Sequence, residues 1–317
     1  MIISASRRTD IPSYFSEWFI NRIIEKYVVV SNPVNKHQLS RIYLSPEVVD
    51  GIVFWTKNPL PMMDKLDLLG GYTYYFQFTL NSYGIDAEPN VPPKNDVIIP
   101  AFQRLADMIG PERVIWRYDP IFLSGKYTIN YHIDYFNKIA EKLKGYTKKC
   151  TISFIDYYRN TRNNIKDLKL LELTDEHKDI LARHLSESAR SNGLEMDTCA
   201  ENIELEKYNI SHARCIDVEL FEKLTGYRLS VEKDKSQRPE CGCAASIDIG
   251  VYNTCRNGCK YCYANFSTET VLKNIGKHDP GSPILCGGIS GGDKVTERHV
   301  GSNKDGQISI FDRQQQK

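Results

Sequence analysis

Residues 114–155 read VIWRYDPIFLSGKYTINYHIDYFNKIAEKLKGYTKKCTISFI. The stretch opens on a β-branched and aromatic run, Val114–Tyr118, and closes on another, Thr151–Ile155. Between them, Ile129–Lys144 repeats apolar residues at helical spacing, with Ile133, Phe136, Ala140 and Leu143 on one face, and Gly145 is placed to terminate the helix. A strand, an amphipathic helix and a second strand make a crossover unit, the connection that two parallel strands require.

The same alternation continues outward. Ile2–Ser6, Ile52–Thr56, Thr73–Leu80 and Leu194–Thr198 read as further strands, and Tyr27–Val30 and Ile42–Leu44 as more strands or a side hairpin. Ser13–Lys26 presents Phe15, Trp18, Phe19 and Ile23 on one helical face. Asp175–Asn192 follows Thr174, a good N-cap, and stops before Gly193. Repeated units of this kind predict an α/β fold whose parallel sheet forms a complete or partial TIM-like barrel over residues 1–235. The predicted strands end in polar residues: Ser6-Arg7-Arg8-Thr9-Asp10, Trp55-Thr56-Lys57-Asn58, Gln77-Phe78-Thr79-Leu80-Asn81, Trp116-Arg117-Tyr118-Asp119, Asp156-Tyr157-Tyr158 and Asp197-Thr198-Cys199-Ala200-Glu201. Loops are polar wherever they are exposed, but as a set these ends predict one shared pocket at the carboxyl side of the sheet.

The 317 residues carry 41 Lys plus Arg against 40 Asp plus Glu, a formal net charge of +1, so global charge argues for neither a nucleic-acid nor a membrane partner. No apolar run is long enough to span a bilayer. The start, MIISASRRTDIP, lacks the basic opening and long apolar stretch of a signal peptide, and a cytoplasmic location is expected. Nine cysteines in such a compartment are not expected to form structural disulfides. Five of them fall between Cys241 and Cys262, and clustered thiols in a reducing compartment read first as metal ligands.

A solvated connector, VEKDKSQRPE, leads into an iron–sulfur segment over residues 236–275 that is expected to complete the barrel, and a polar, glycine-rich and mobile end is expected over 276–317. Within the segment, Cys255, Cys259 and Cys262 have the spacing C-x3-C-x2-C, with Gly258 where the loop must turn tightly. Three thiolates on one compact loop leave one iron of a four-iron cubane open to another ligand. Zinc held by these thiols with Cys241 and Cys243 is the alternative, although two similar C-x2-C arms, the usual zinc pattern, are absent.

C-x3-C-x2-C with an aromatic residue, Tyr261, before its last cysteine resembles the signature of radical S-adenosylmethionine enzymes, and the string Cys-Lys-Tyr-Cys-Tyr-Ala-Asn is most similar to the spore photoproduct lyase branch. Over nearly its whole length the chain resembles an uncharacterised bacterial family that pairs Ser-Arg-Arg-Thr-Asp-Ile-Pro and Arg-Tyr-Asp-Pro with a C-terminal cysteine cluster. The resemblance implies a [4Fe-4S] cluster on Cys255, Cys259 and Cys262, S-adenosylmethionine as cofactor with Tyr261 and Tyr263 packing on it, and an electron donor such as flavodoxin or ferredoxin. It names no substrate, although the likeness to a DNA-repair lyase suggests one related to nucleic acid. The usual order, cysteines first and barrel after, is reversed here. A circular permutation would explain that, with Ser246–Tyr252 as the strand before the cysteine loop and Ile2–Ser6 as its successor.

The remaining candidates are less tied to a motif. Cys241 and Cys243 are expected to ligate a second metal site with a distant residue such as Cys199, to deliver a hydrogen atom or electron, or to be incidental. Cys199 is itself a candidate hydrogen donor at a strand end. Cys150, Cys215 and Cys286 read as ordinary thiols. Arg7, Arg8, Lys57 and Arg117 are candidates to receive an anionic substrate, against the alternative of ion pairs with Asp10, Asp119 or Asp156. Gln307–Phe311 resembles a sliding-clamp-binding peptide. The competing function is a non-catalytic iron–sulfur or zinc protein acting as sensor or scaffold.

Overall fold

The β-branched and aromatic runs form one parallel sheet of eight strands in the computed structural model, which describes residues 1–32, 35, 37–158 and 161–305. The strands are β1 (Ile2–Ala5), β2 (Gly51–Thr56), β3 (Tyr74–Thr79), β4 (Val114–Ile121), β5 (Lys149–Phe154), β6 (Glu195–Thr198), β7 (Ile210–His212) and β8 (Ile247–Asp248). Their order is β7-β6-β5-β4-β3-β2-β1-β8, and every neighbouring pair is parallel. The last strand in sequence therefore lies beside the first. Among the described residues no ladder joins the two edge strands, but the chain that continues β7 meets the chain that leads into β8 through Ala244 N donating to Ile216 O at 3.1 Å.

Both faces of the sheet are covered, so its strands are apolar on both sides rather than alternating. Ile3, Ile52, Phe54, Phe76, Phe78, Trp116 and Ile152 belong to one large core with the helices α1 (Ser16–Glu25), α2 (Ile99–Ile109), α3 (Ile129–Leu143) and α4 (Asp175–Ser191). One residue along each strand, Ile2, Val53, Tyr75 and Ile115 face a second core instead. That core is made by residues 213–244, including α5 (Val218–Thr225), whose Phe221 is fully buried. A Cβ at Gly51 would lie 2.0 Å from the Phe221 ring, so the missing side chain is what lets this plug press on β2.

The helices start where capping chemistry allows. Thr128 accepts from Tyr131 N ahead of α3, and Thr174 accepts from His177 N ahead of α4. The single helix expected over Ser13–Lys26 is two, because a separate turn, Ile11–Tyr14, is capped by Asp10 and ends at Phe15, whose φ of −136° is not helical. Asp10 accepts from both Ser13 N and Lys57 N, and Ser13 Oγ donates to Asn58 O, so this turn is bound to the end of β2.

Tyr27–Ser31 and Gln38–Tyr43 form the antiparallel side hairpin. Lys294–Glu297 adds a third, parallel strand to it. The polar end is thus tied down as far as residue 305: Trp18 Nε1 donates to Ser282 O, Val29 N to Pro283 O, and Asn303 N to Asp50. Composition describes side chains, and this segment docks mainly through its backbone. No helix among the described residues is long and apolar enough to cross a membrane. Gln307–Phe311 lies outside the described residues.

Candidate functional site

The carboxyl ends of the strands surround one cavity of about 650 Å³. β1 contributes Arg7 and Arg8, β2 Lys57, β4 Asp119, β5 Asp156 and β6 Cys199. The loop after β8 brings Cys255, Cys259 and Cys262 to the same cavity. The residues that sequence reasoning spread over six loops are therefore neighbours.

The cysteine loop is built to hold its shape. Gly258 has φ +67°, a backbone conformation that favours glycine. Asn257 donates to Asp10 Oδ2 at 3.1 Å and accepts from Tyr14 OH at 2.8 Å. Lys260 N donates to Ala87 O, and Asn90 donates from its backbone to Asn257 O and from its side chain to Arg256 O. The loop is thus clamped between the first turn of the chain and segment 84–90.

Beneath it lies a buried ionic network. Lys57 Nζ is 2.7 Å from Glu88 Oε1, and Lys94 Nζ is 2.6 Å from Glu88 Oε2. Tyr261 OH donates to Glu88 and accepts from Lys57 at 3.0 Å and Asn81 at 3.1 Å. Burial opposes the charge of Glu88, but the two ammonium groups outweigh it and hold its carboxyl at about 2. Burial likewise opposes the charge on Lys57, and Glu88 more than restores it.

Burial pushes all three loop thiols up, Cys259 to about 12, so without metal they are neutral. A bound metal ion reverses that and deprotonates its thiols outright. Backbone amides already point at the sulfurs, from Asn257 to Cys255 and from Ala264 and Asn265 to Cys262. Amide hydrogen bonds of this kind tune cluster sulfurs. Among the described residues, the one set of three donors lying mutually within 4.8 Å is the exposed group Glu204, Glu206 and His212, not the loop thiols. Tetrahedral zinc needs its sulfurs about 3.8 Å apart, since each Zn–S bond is about 2.3 Å. The loop thiols are therefore not spaced for a single tetrahedral zinc ion.

A second group of thiols opens on the same cavity: Cys199, Cys215, Cys241 and Cys243. Cys199 Sγ is 3.3 Å from Cys215 Sγ, and Arg117 Nη1 donates to Cys215 Sγ at 2.9 Å. All nine cysteines are free thiols.

Several expected roles change with this geometry. Lys57 is bound to Glu88 and Tyr261, and Arg117 is paired with Asp119 and donates to Gln77 and Cys215, so neither is an open anion receptor. Tyr261 is a buried strut rather than an open stacking face, and Tyr263 donates its hydroxyl to Arg7 O. Arg7 is held more loosely, 3.4 Å from Asp234 and 3.2 Å from Ser246 Oγ, and Arg8 lies 3.9 Å from Asp248. Cys215 is not an isolated thiol. Glu88 and Cys215 carry no spacing signal in the sequence, because each acquires its role only when distant segments meet.

No curated protein matches this chain. Residues 2–264, a span that takes in both cysteine groups, match the family described as "Domain of unknown function (DUF1848)". The chain belongs to that family.

Proposed function

We propose that this protein is a radical S-adenosylmethionine enzyme whose [4Fe-4S] cluster is held by Cys255, Cys259 and Cys262, and whose fold is a circularly permuted partial barrel. The observation that carries this reading is positional. The C-x3-C-x2-C loop follows strand β8, β8 is the parallel neighbour of β1, and the loop lies at the carboxyl ends of the sheet, facing a cavity of about 650 Å³. A purely structural metal site needs no such space, which weighs against a sensor or scaffold. When bound, the cluster supplies the electron that cleaves S-adenosylmethionine and yields a 5′-deoxyadenosyl radical.

The chain's own residues then have defined tasks. The Glu88 network and Asn257 hold the loop in place. The second core packs on one face of the sheet and brings Cys215, Cys241 and Cys243 to the cavity wall. Arg7 and Arg8, the cations least committed to partners, are placed to orient an anionic group of cofactor or substrate. The substrate is not named by these features.

The test is anaerobic reconstitution with iron and sulfide, reduction, and incubation with S-adenosylmethionine. The expected product is 5′-deoxyadenosine, detected by mass spectrometry. A reducible cluster that assembles fully and yields none would sink the enzyme reading.

A further inference from the structure

We propose that Cys199, Cys215, Cys241 and Cys243 hold a second iron–sulfur centre, facing the same cavity as the loop cysteines. Three separate segments supply the four thiols. Cys199 follows β6, Cys215 follows β7, and Cys241 and Cys243 precede β8. Cys199 Sγ is 3.3 Å from Cys215 Sγ, and Cys241 and Cys243 open on the same cavity beside them.

The backbone around each of the four is fixed by the fold. Cys199 N donates to Ile152 O, and Ala213 N donates to Thr198 O. Tyr75 OH and Gln77 Nε2 both donate to Cys215 O, at 2.7 and 3.0 Å. Asp234 N donates to Cys243 O, and Cys241 N donates to Arg238 O. Among the described residues, buried donors from β3 and β4 converge on Cys215 alone. Cys215, Cys241 and Cys243 are all buried, yet all four sulfur-bearing residues line the cavity, so a metal reaching the cavity reaches them.

A donor to the sulfur is also in place. The buried Arg117 guanidinium, paired with Asp119 and held by Gln77, supplies an oriented hydrogen-bond donor to Cys215 Sγ rather than a free positive charge. A sulfur–sulfur distance of 3.3 Å is far outside a disulfide bond, which is about 2.05 Å. The spacing of the four sulfurs argues against a single tetrahedral zinc ion. Zinc needs all four sulfurs mutually about 3.8 Å apart, whereas no three of these sulfurs lie mutually within 4.8 Å.

The inference does not depend on radical chemistry at the loop cysteines, and its test separates the two. Full-length protein carrying Cys255→Ala, Cys259→Ala and Cys262→Ala is reconstituted anaerobically with ferrous iron and sulfide, or with zinc alone. Iron, labile sulfide and zinc per chain are then measured. One iron–sulfur centre per chain is expected to remain, and to be lost when Cys241→Ser and Cys243→Ser are added. To avoid relying on folding of the variants, loaded and unloaded triple variant are also alkylated and mapped by mass spectrometry. Cys199, Cys215, Cys241 and Cys243 should be protected only when loaded, with Cys286 as the unprotected control. Absence of bound iron and sulfide, zinc binding alone, or protection that a disulfide reductant reverses without metal release would each overturn the proposal.

Discussion

Cys255, Cys259 and Cys262 sit within eight residues on one loop, whereas Cys199, Cys215, Cys241 and Cys243 come from three segments that meet only over one face of the sheet. The loop group owes its position to contacts made beside the sheet, with Asp10, segment 84–90 and the Glu88 network. The sheet group owes its position to the strands themselves and to the plug of residues 213–244. The difference teaches that one cavity is lined by two sulfur sets with independent mechanical supports. Perturbing one support should leave the other set in place.

The largest effect tests the loop group directly. Replacing Cys255, Cys259 and Cys262 together by Ala should reduce 5′-deoxyadenosine formation to background and remove one cluster's worth of iron and sulfide. Full retention of wild-type iron and sulfide would show that the loop holds no cluster.

Two buried substitutions come next, one for each support. Glu88→Ala leaves Lys57 and Lys94 without their shared carboxylate, and breaking a buried pair in this way costs about 3–5 kcal/mol. Phe221→Ala empties the plug against Gly51, at a similar cost of about 3–5 kcal/mol for a buried aromatic. Chemical denaturation measures both. Metal analysis then distinguishes them: Glu88→Ala should deplete the loop group, and Phe221→Ala the sheet group. Equal depletion by both would mean that the two supports are one.

The contrast also explains what the sequence makes legible. Six strands of the large sheet and the faces of helices α1, α3 and α4 follow from apolar spacing, because burial on a regular element imposes a period. The loop cysteines are legible for the same reason of locality: ligands on one short loop must be close in sequence. β7 escapes notice because Ile210–His212 is three residues long, with two exposed. Glu88 looks like any acidic loop residue until Lys57 and Lys94 converge on it. Cys215 looks incidental until Cys199, Cys243 and Arg117 surround it. Nothing within a few residues of either encodes those partners.

Acid should distinguish the two supports more mildly. His132 Nε2–H donates to Phe122 O, so Nδ1 accepts from Tyr118 OH, and the ring is neutral among Tyr83, Tyr118 and Tyr131. Burial depresses its pKa from 6.5 to about 4. Its stabilising contribution is therefore complete above pH about 6.5 and is lost as the pH falls through 4, a span worth about 3 kcal/mol. Phe122 and Tyr83 pack on Tyr261, so this loss should reach the loop group first. His132→Gln should flatten the acid limb of stability measured by denaturant melts between pH 4 and 7, and an unchanged limb would remove His132 from the account.

The smallest change is Gly258→Ala. An alanine at φ +67° costs roughly 1–2 kcal/mol in backbone strain alone. Its Cβ would also lie 3.0 Å from Asn90 Nδ2 and 3.2 Å from Pro89 Cγ, tighter than ordinary contact. Asn90 is the residue that clamps the loop, donating to Arg256 O at 2.7 Å and to Asn257 O at 3.3 Å. Relief of the contact must move either the clamp or the loop, and both movements displace Cys255 and Cys259 relative to each other. Among the described residues no hydrogen bond joins the sheet group to Asn90, and Arg117, Gln77 and Tyr75 hold Cys215 regardless. The variant should therefore melt only slightly earlier than wild type while losing iron from the loop group and keeping the metal of the sheet group. A variant that keeps full S-adenosylmethionine cleavage would show that the loop's shape at Gly258 is not what positions its thiols. One that loses both metal centres at so small a cost in stability would show that the two supports are coupled.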